Sequence, residues 1–116
     1  LPSGTAVLNA ADPQVVQMAE LCDGKVIFYG LDATLDAITS HRASGDRAVF
    51  LRERQIVLAR GEDEVSHIPL DSLAPTKAEK PEMVMAAVAA AWALGIAPEL
   101  IGAGLRTFNP SPKKSY

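Results

Sequence analysis

The stretch TAVLNAADPQVVQMAELCDGKVIFY, residues 5–29, decides how the chain is read. Thr5-Ala6-Val7-Leu8-Asn9 is a short apolar run of strand length, and Lys25-Val26-Ile27-Phe28-Tyr29 is β-branched and aromatic, as strands prefer. Between them, Asp12 has the carboxylate of a helix N-cap, and Pro13 fits the first helical position, where a missing N–H costs nothing. Val15, Val16, Met18, Ala19 and Leu21 follow at roughly helical spacing, with Gly24 as the expected terminator. Strand, helix and strand at these lengths form a βαβ unit, which requires parallel pairing and a right-handed crossover.

Outward from this unit the pattern changes. A second helix is expected from about Leu35 to Arg42 or Ala43. Ala48–Arg52, Ile56–Arg60 and Val65–Leu70 then read as short strands in an antiparallel meander. Gly61-Glu62-Asp63 is a clear turn, whereas Glu53-Arg54-Gln55 lacks the Gly or Asn of a two-residue hairpin, so its type is open. Beyond a polar connection, Thr76-Lys77-Ala78-Glu79 matches a capping box, while Pro81 competes as the first helical residue. Glu82–Leu94 is a helix rich in alanine, read as core, with Gly95 as its cap, and Pro98-Glu99 opens another. The expected fold is α/β: a short parallel βαβ unit, an antiparallel meander and two C-terminal helices. Residues 1–108 form the domain part and 109–116 a linker or tail.

Composition narrows the function. With 11 Lys and Arg against 14 Asp and Glu, the net charge is −3, too little positive charge for dedicated nucleic-acid binding. The longest apolar run, Met83–Leu94, is too short to span a bilayer. The single thiol, Cys22, cannot build a disulfide or a multi-thiolate metal site within the chain, and reads as an inert, buried or half-buried group. His41 and His67 are far apart in sequence and make a weak case for zinc; they read as a solvated helix end and an outward strand position. Asn9 and Asp12 stand at the C-terminal edge of a parallel strand, where α/β sheets bind ligands; turn-and-cap chemistry and a ligand-facing role are both open. Arg47, Arg52, Arg54 and Arg60 interleave with Asp46, Glu53, Glu62, Asp63 and Glu64, either as a mixed-sign solvated face or as a contact for an acidic polymer. Trp92 reads as a core or inter-domain anchor.

Three segments, in order, resemble the Mur ligase central domain. Ala6-Val7-Leu8-Asn9-Ala10-Ala11-Asp12-Pro13 resembles its "VLNADDP" strand and turn, Met83 to Ile96 resembles its "NxLAAxAAAxxLGI" helix, and Gly104-Leu105-Arg106-Thr107-Phe108 looks like the ending after it. Within that family, Ser40 to Arg52 is most similar to the cyanophycin synthetase branch. The resemblance covers about residues 4 to 108. It implies the C-terminal half of a central domain from a cytoplasmic, ATP-dependent amide ligase. In that branch an acyl phosphate forms from a carboxylate and ATP, and arginine is then joined to polyaspartate side chains. ATP and magnesium are the implied cofactors. The remaining ligase domains and an acidic polypeptide are the implied partners, with no nucleic acid and no membrane.

By the same resemblance Asn9, Asp12 and Glu82 are the candidate nucleotide-binding residues, with no catalytic and no metal-ligating residue assigned. Two positions depart from the family. Met83 replaces an Asn that contacts the base, and a thioether lacks the paired donor and acceptor of an amide. Ala11-Asp12 replaces an acidic pair. The phosphate cradle G-x-x-x-x-G-K-[ST] is absent from the 116 residues, so the segment alone is expected to be inactive. The alternative is a non-catalytic α/β scaffold or interaction module. Self-association into a homo-oligomer through an unpaired sheet edge is a further expectation.

Overall fold

The computed structural model describes residues 4–22, 24–73 and 78–107. A five-stranded sheet in the order β1-β2-β3-β4-β5 is formed by β1 (Thr5–Asn9), β2 (Lys25–Gly30), β3 (Arg47–Arg52), β4 (Gln55–Arg60) and β5 (Asp63–Pro69). The first three strands run parallel, and β3, β4 and β5 pair antiparallel. The sheet is therefore mixed, and the expected α/β class holds.

Helix α1 (Pro13–Met18) connects β1 to β2, and α2 (Asp36–Ala43) connects β2 to β3. Both pack on one face of the sheet, over Phe28, Ala48, Phe50, Val57 and Ala59. Helices α3 (Pro81–Ala93) and α4 (Pro98–Thr107) cover the other face, over Ile27, Val49, Ile56, Leu58 and Ile68. The strand period of two sends alternate residues into these two cores. Val57 and Ala59 thus enter one core while Ile56 and Leu58 enter the other, all four being fully buried.

Several local details sharpen or correct the sequence reading. Asp12 caps α1 as expected: its Oδ1 accepts from the backbone N–H groups of Gln14 (3.0 Å) and Val15 (3.4 Å). The helix is shorter than expected. It gives way to a single 3-10 turn, Ala19–Leu21, so Gly24 does not cap it. No residue of α1 is buried, which leaves little tertiary packing to lengthen it. In α3, Pro81 takes the first helical position. Val84, Met85, Val88, Ala89 and Trp92 form its buried stripe, whereas Ala87 and Ala90 face outward, so only part of the alanine-rich helix is core. Gly95, at φ +95°, ends α3. The Gly95 N–H donates to the Trp92 carbonyl (3.0 Å) and the Ile96 N–H to the Ala91 carbonyl (3.1 Å), the paired bonds of a Schellman cap. The open hairpin type is settled as well. Arg52 pairs with Gln55, so the turn has two residues, Glu53 and Arg54, at φ +53° and +62°. This is the mirror-image turn that matches strand twist, built without glycine or asparagine. The Thr76–Glu79 capping box and Phe108 fall wholly or partly outside the described residues, as does the 109–116 tail.

Among the described residues no helix is long and apolar enough to cross a membrane.

Candidate functional site

The C-terminal end of β1 meets the first turn of α3. Asn9 is the last residue of β1, and Glu82 lies in the opening turn of α3, where a carboxylate favours the helix dipole. Their side chains touch: Asn9 Nδ2 donates to Glu82 Oε2 at 3.4 Å, across 73 positions of sequence. The Asn9 Oδ1 meanwhile accepts from the Ala11 N–H at 2.9 Å, which fixes the side chain over the turn. Asp12 lies one step further along the same turn, with its carboxylate engaged at the start of α1. The three candidate residues thus stand around the C-terminal end of β1, but Asp12 acts there as a cap. Met83, beside Glu82, is 67% exposed. The constellation offers one amide and one carboxylate on an open rim. It can hydrogen-bond a polar edge of a ligand. It holds no arrangement of nucleophile and base.

The sequence missed a second polar cluster. Arg52 places Nη1 and Nη2 at 2.7 Å from the two carboxylate oxygens of Glu64, and His67 Nε2 lies 2.7 Å from Glu64 Oε1. Strict alternation would set residues 64 and 67 on opposite faces. The register instead skips Val65, since Leu58 opposes Ser66 while Ala59 opposes Glu64. This β-bulge turns both side chains to the α1/α2 side of the sheet. The Arg52 hydrogen bonds, helped by His67, hold the Glu64 carboxyl down at about 2. His67 is exposed, as expected. Finding the bulge from sequence would have required recognising Val65 as an extra residue in an otherwise ordinary strand.

His41 corrects another expectation. It is not a solvated helix end: its ring packs edge-on against Phe28 with centroids 4.9 Å apart, and Nε2 lies 2.6 Å from the Val26 carbonyl oxygen. The arginines do not share one face either. Arg52 lies with Phe50 on the α1/α2 side, Arg54 pairs with Asp71 at the hairpin, and Arg47 and Arg60 stack on Trp92 on the α3 side. Trp92 itself is 3% exposed and belongs to the core. Cys22 is half-buried. Asp32 lies below the usual carboxylate range because the Thr34 hydroxyl and N–H both donate to it. Among the described residues, no group of three or more His, Cys, Asp or Glu side chains converges as a metal site.

No family model matches the chain. The chain is similar to curated cyanophycin synthetases. It is 32% identical over 120 residues to the one from Geminocystis herdmanii, covering 97% of this chain and 13% of that protein. It is 32% identical over 122 residues to the one from Synechocystis sp., covering 98% and 14%. The Crocosphaera subtropica protein is 30% identical over 119 residues, covering 97% and 13%. The chain therefore spans about an eighth of the length of the curated relatives it matches.

Proposed function

We propose that the chain is a segment of a Mur-type central domain in a cytoplasmic, ATP-dependent amide ligase resembling cyanophycin synthetase. In this reading Asn9, Asp12 and Glu82 form a nucleotide-facing rim. The observation that carries it is the contact between Asn9 and Glu82, which brings two sequence-distant candidates together at the end of the parallel strands. Ligands of open α/β sheets sit at that end. The similarity to curated cyanophycin synthetases over nearly the whole chain supports the same parent.

The parent would use ATP to convert a carboxylate into an acyl phosphate, which an amine such as that of arginine then attacks, releasing phosphate. Within this chain the Asn9 amide and the Glu82 carboxylate would orient the nucleotide by hydrogen bonds, while Asp12 holds the turn between them and α1. The phosphate cradle, the magnesium ligands, the remaining ligase domains and an acidic polypeptide substrate belong to the rest of the parent. Among the described residues no cluster of His, Cys, Asp or Glu fits a magnesium ion. The isolated chain is accordingly expected to bind nucleotide weakly and to turn over no ATP.

An amide chemical-shift titration of the chain with ADP tests this. Shifts centred on Asn9, Asp12 and Glu82 are expected at millimolar ADP; an unchanged spectrum at saturation of the nucleotide's solubility overturns the local role. One observation favours the scaffold alternative, the exposed thioether of Met83 where the family carries an amide. Met83→Asn separates the two readings. A nucleotide rim gains affinity for ADP on this change, and a scaffold does not.

A further inference from the structure

At the opposite end of the sheet from Asn9, the N-terminal ends of β2 and β3 form a cleft of about 290 Å³ lined by Lys25, Val26, Gly45, Asp46, Arg47 and Arg60. Arg47 and Arg60 are direct cross-strand partners. Like charges directly opposite one another destabilise a sheet. Both guanidinium groups lie over the Trp92 ring, their central carbons 5.1 Å and 5.7 Å from its centroid, a favourable cation–π placement that partly offsets the repulsion. Arg47 also donates to the Trp92 carbonyl at 3.3 Å, near the C-terminal end of α3. That bond accounts for one arginine. The Arg60 guanidinium donates to no acceptor among the described residues, and neither arginine nor Lys25 has an ion pair there. Burial, reinforced by the charge of Arg60, weakens the hold of Arg47 on its proton, as expected for a cation left short of counter-charge. The single carboxylate in the cleft, Asp46, lies 3.8 Å from His41 Nδ1. Three cationic residues and one carboxylate thus line the cleft. Gly45 contributes to that space, since a Cβ built on it would meet nothing within 4 Å.

We infer that this cleft is a binding site for an oxyanion, a phosphate or carboxylate group held between Arg60, Arg47 and Lys25. Guanidinium forks suit both kinds of group, and the bound charge relieves the repulsion across the ladder. The site is independent of the proposed nucleotide rim, from which it is separated by the length of the parallel strands.

Trp92 is the chain's one tryptophan, and its ring lies under both arginines, so its emission reports on the cleft directly. Inorganic phosphate and succinate are titrated separately into the full chain at fixed ionic strength. A saturable change in Trp92 emission is expected. Arg60→Gln is expected to weaken it about tenfold, the loss of one charge-assisted contact, with the far-ultraviolet circular dichroism unchanged. Lys25→Gln, an exposed change at the first residue of β2, weakens it less and decides the matter should Arg60→Gln fail to fold. Saturation by phosphate alone makes this a phosphoryl site, by succinate alone a carboxylate site, and by both a general oxyanion site. No saturable change with either anion, or an equal response in every variant that folds, overturns the inference.

Discussion

Strands β1 and β4 belong to one sheet and have nearly the same length, yet they are held very differently. In β4, Ile56, Val57, Leu58 and Ala59 are fully buried, because the strand has a neighbour on each side and a filled core on each face. In β1 all five residues are half-exposed. Among the described residues β1 has a strand neighbour on one side, and the helix beside it has no fully buried residue, only Val16 packing in part against the core. The meander is thus the more firmly packed part of the molecule, and the β1–α1 end is the more sparsely packed part. The proposed nucleotide rim sits at that looser end. Regions that bind and move are commonly drawn from the least stable part of a fold.

The largest expected effect tests this contrast directly. Leu58→Ala should cost about 2–5 kcal/mol, the range for emptying a filled core site. Val7→Ala, on a half-exposed strand, should cost about 1 kcal/mol. Urea unfolding followed by circular dichroism measures both. Equal losses would break the comparison, because β1 would then be as firmly packed as β4.

The next effect is a gain within the meander. Glu53 and Arg54 both occupy left-handed backbone, which costs an L-residue about 1 kcal/mol or more. Replacing them with Asn-Gly should raise stability by about 1 kcal/mol, even though the exposed Arg54–Asp71 ion pair is lost, since such pairs contribute little. A lower unfolding midpoint in the Asn-Gly variant would mean that the ion pair and the Arg54 carbonyl's bond to the Leu70 N–H depend on the native turn residues.

Asp12→Ala addresses the looser end. Removing the cap should cost about 1 kcal/mol. The loss should be concentrated in α1, seen as faster amide exchange at Gln14 and Val15 with little change in β4. Uniform acceleration across the sheet would show that α1 is coupled to the meander more tightly than its burial implies.

The βαβ unit, the meander and the two C-terminal helices were readable because each rests on local chemistry: Asp12-Pro13 for a helix start, β-branched runs for strands, Gly95 for a stop. Asn9 and Glu82 were brought together as candidates by family resemblance alone, since no local pattern links residues 73 positions apart. What escaped depends on register and on partners distant in sequence. A single skipped residue at Val65 places Glu64 beside His67. His41 is drawn inward by a ring and a carbonyl from β2. The division of the arginines between two faces follows from the pairing of Arg47 with Arg60, which composition does not reveal.

The smallest effect isolates that bulge. Glu64 titrates at about 2 in the folded chain because Arg52 and His67 hydrogen-bond its ionised form, whereas an unfolded chain returns it to the usual value near 4.5. Its contribution is therefore complete above about 4.5, where both states are ionised. It declines as pH falls, because the unfolded chain takes up the proton first, and it is gone below about 2. Glu64→Gln lacks this contribution at every pH. The stability difference between the native chain and Glu64→Gln should be constant above pH 4.5, small because the groups are partly solvated, and should close between about 4.5 and 2. Raising the salt concentration should shrink it further, as screening weakens exposed charge pairs. A difference that stays flat through the acid window would mean that Arg52 and His67 do not hold Glu64 in solution, and that the bulged strand relaxes toward ordinary alternation.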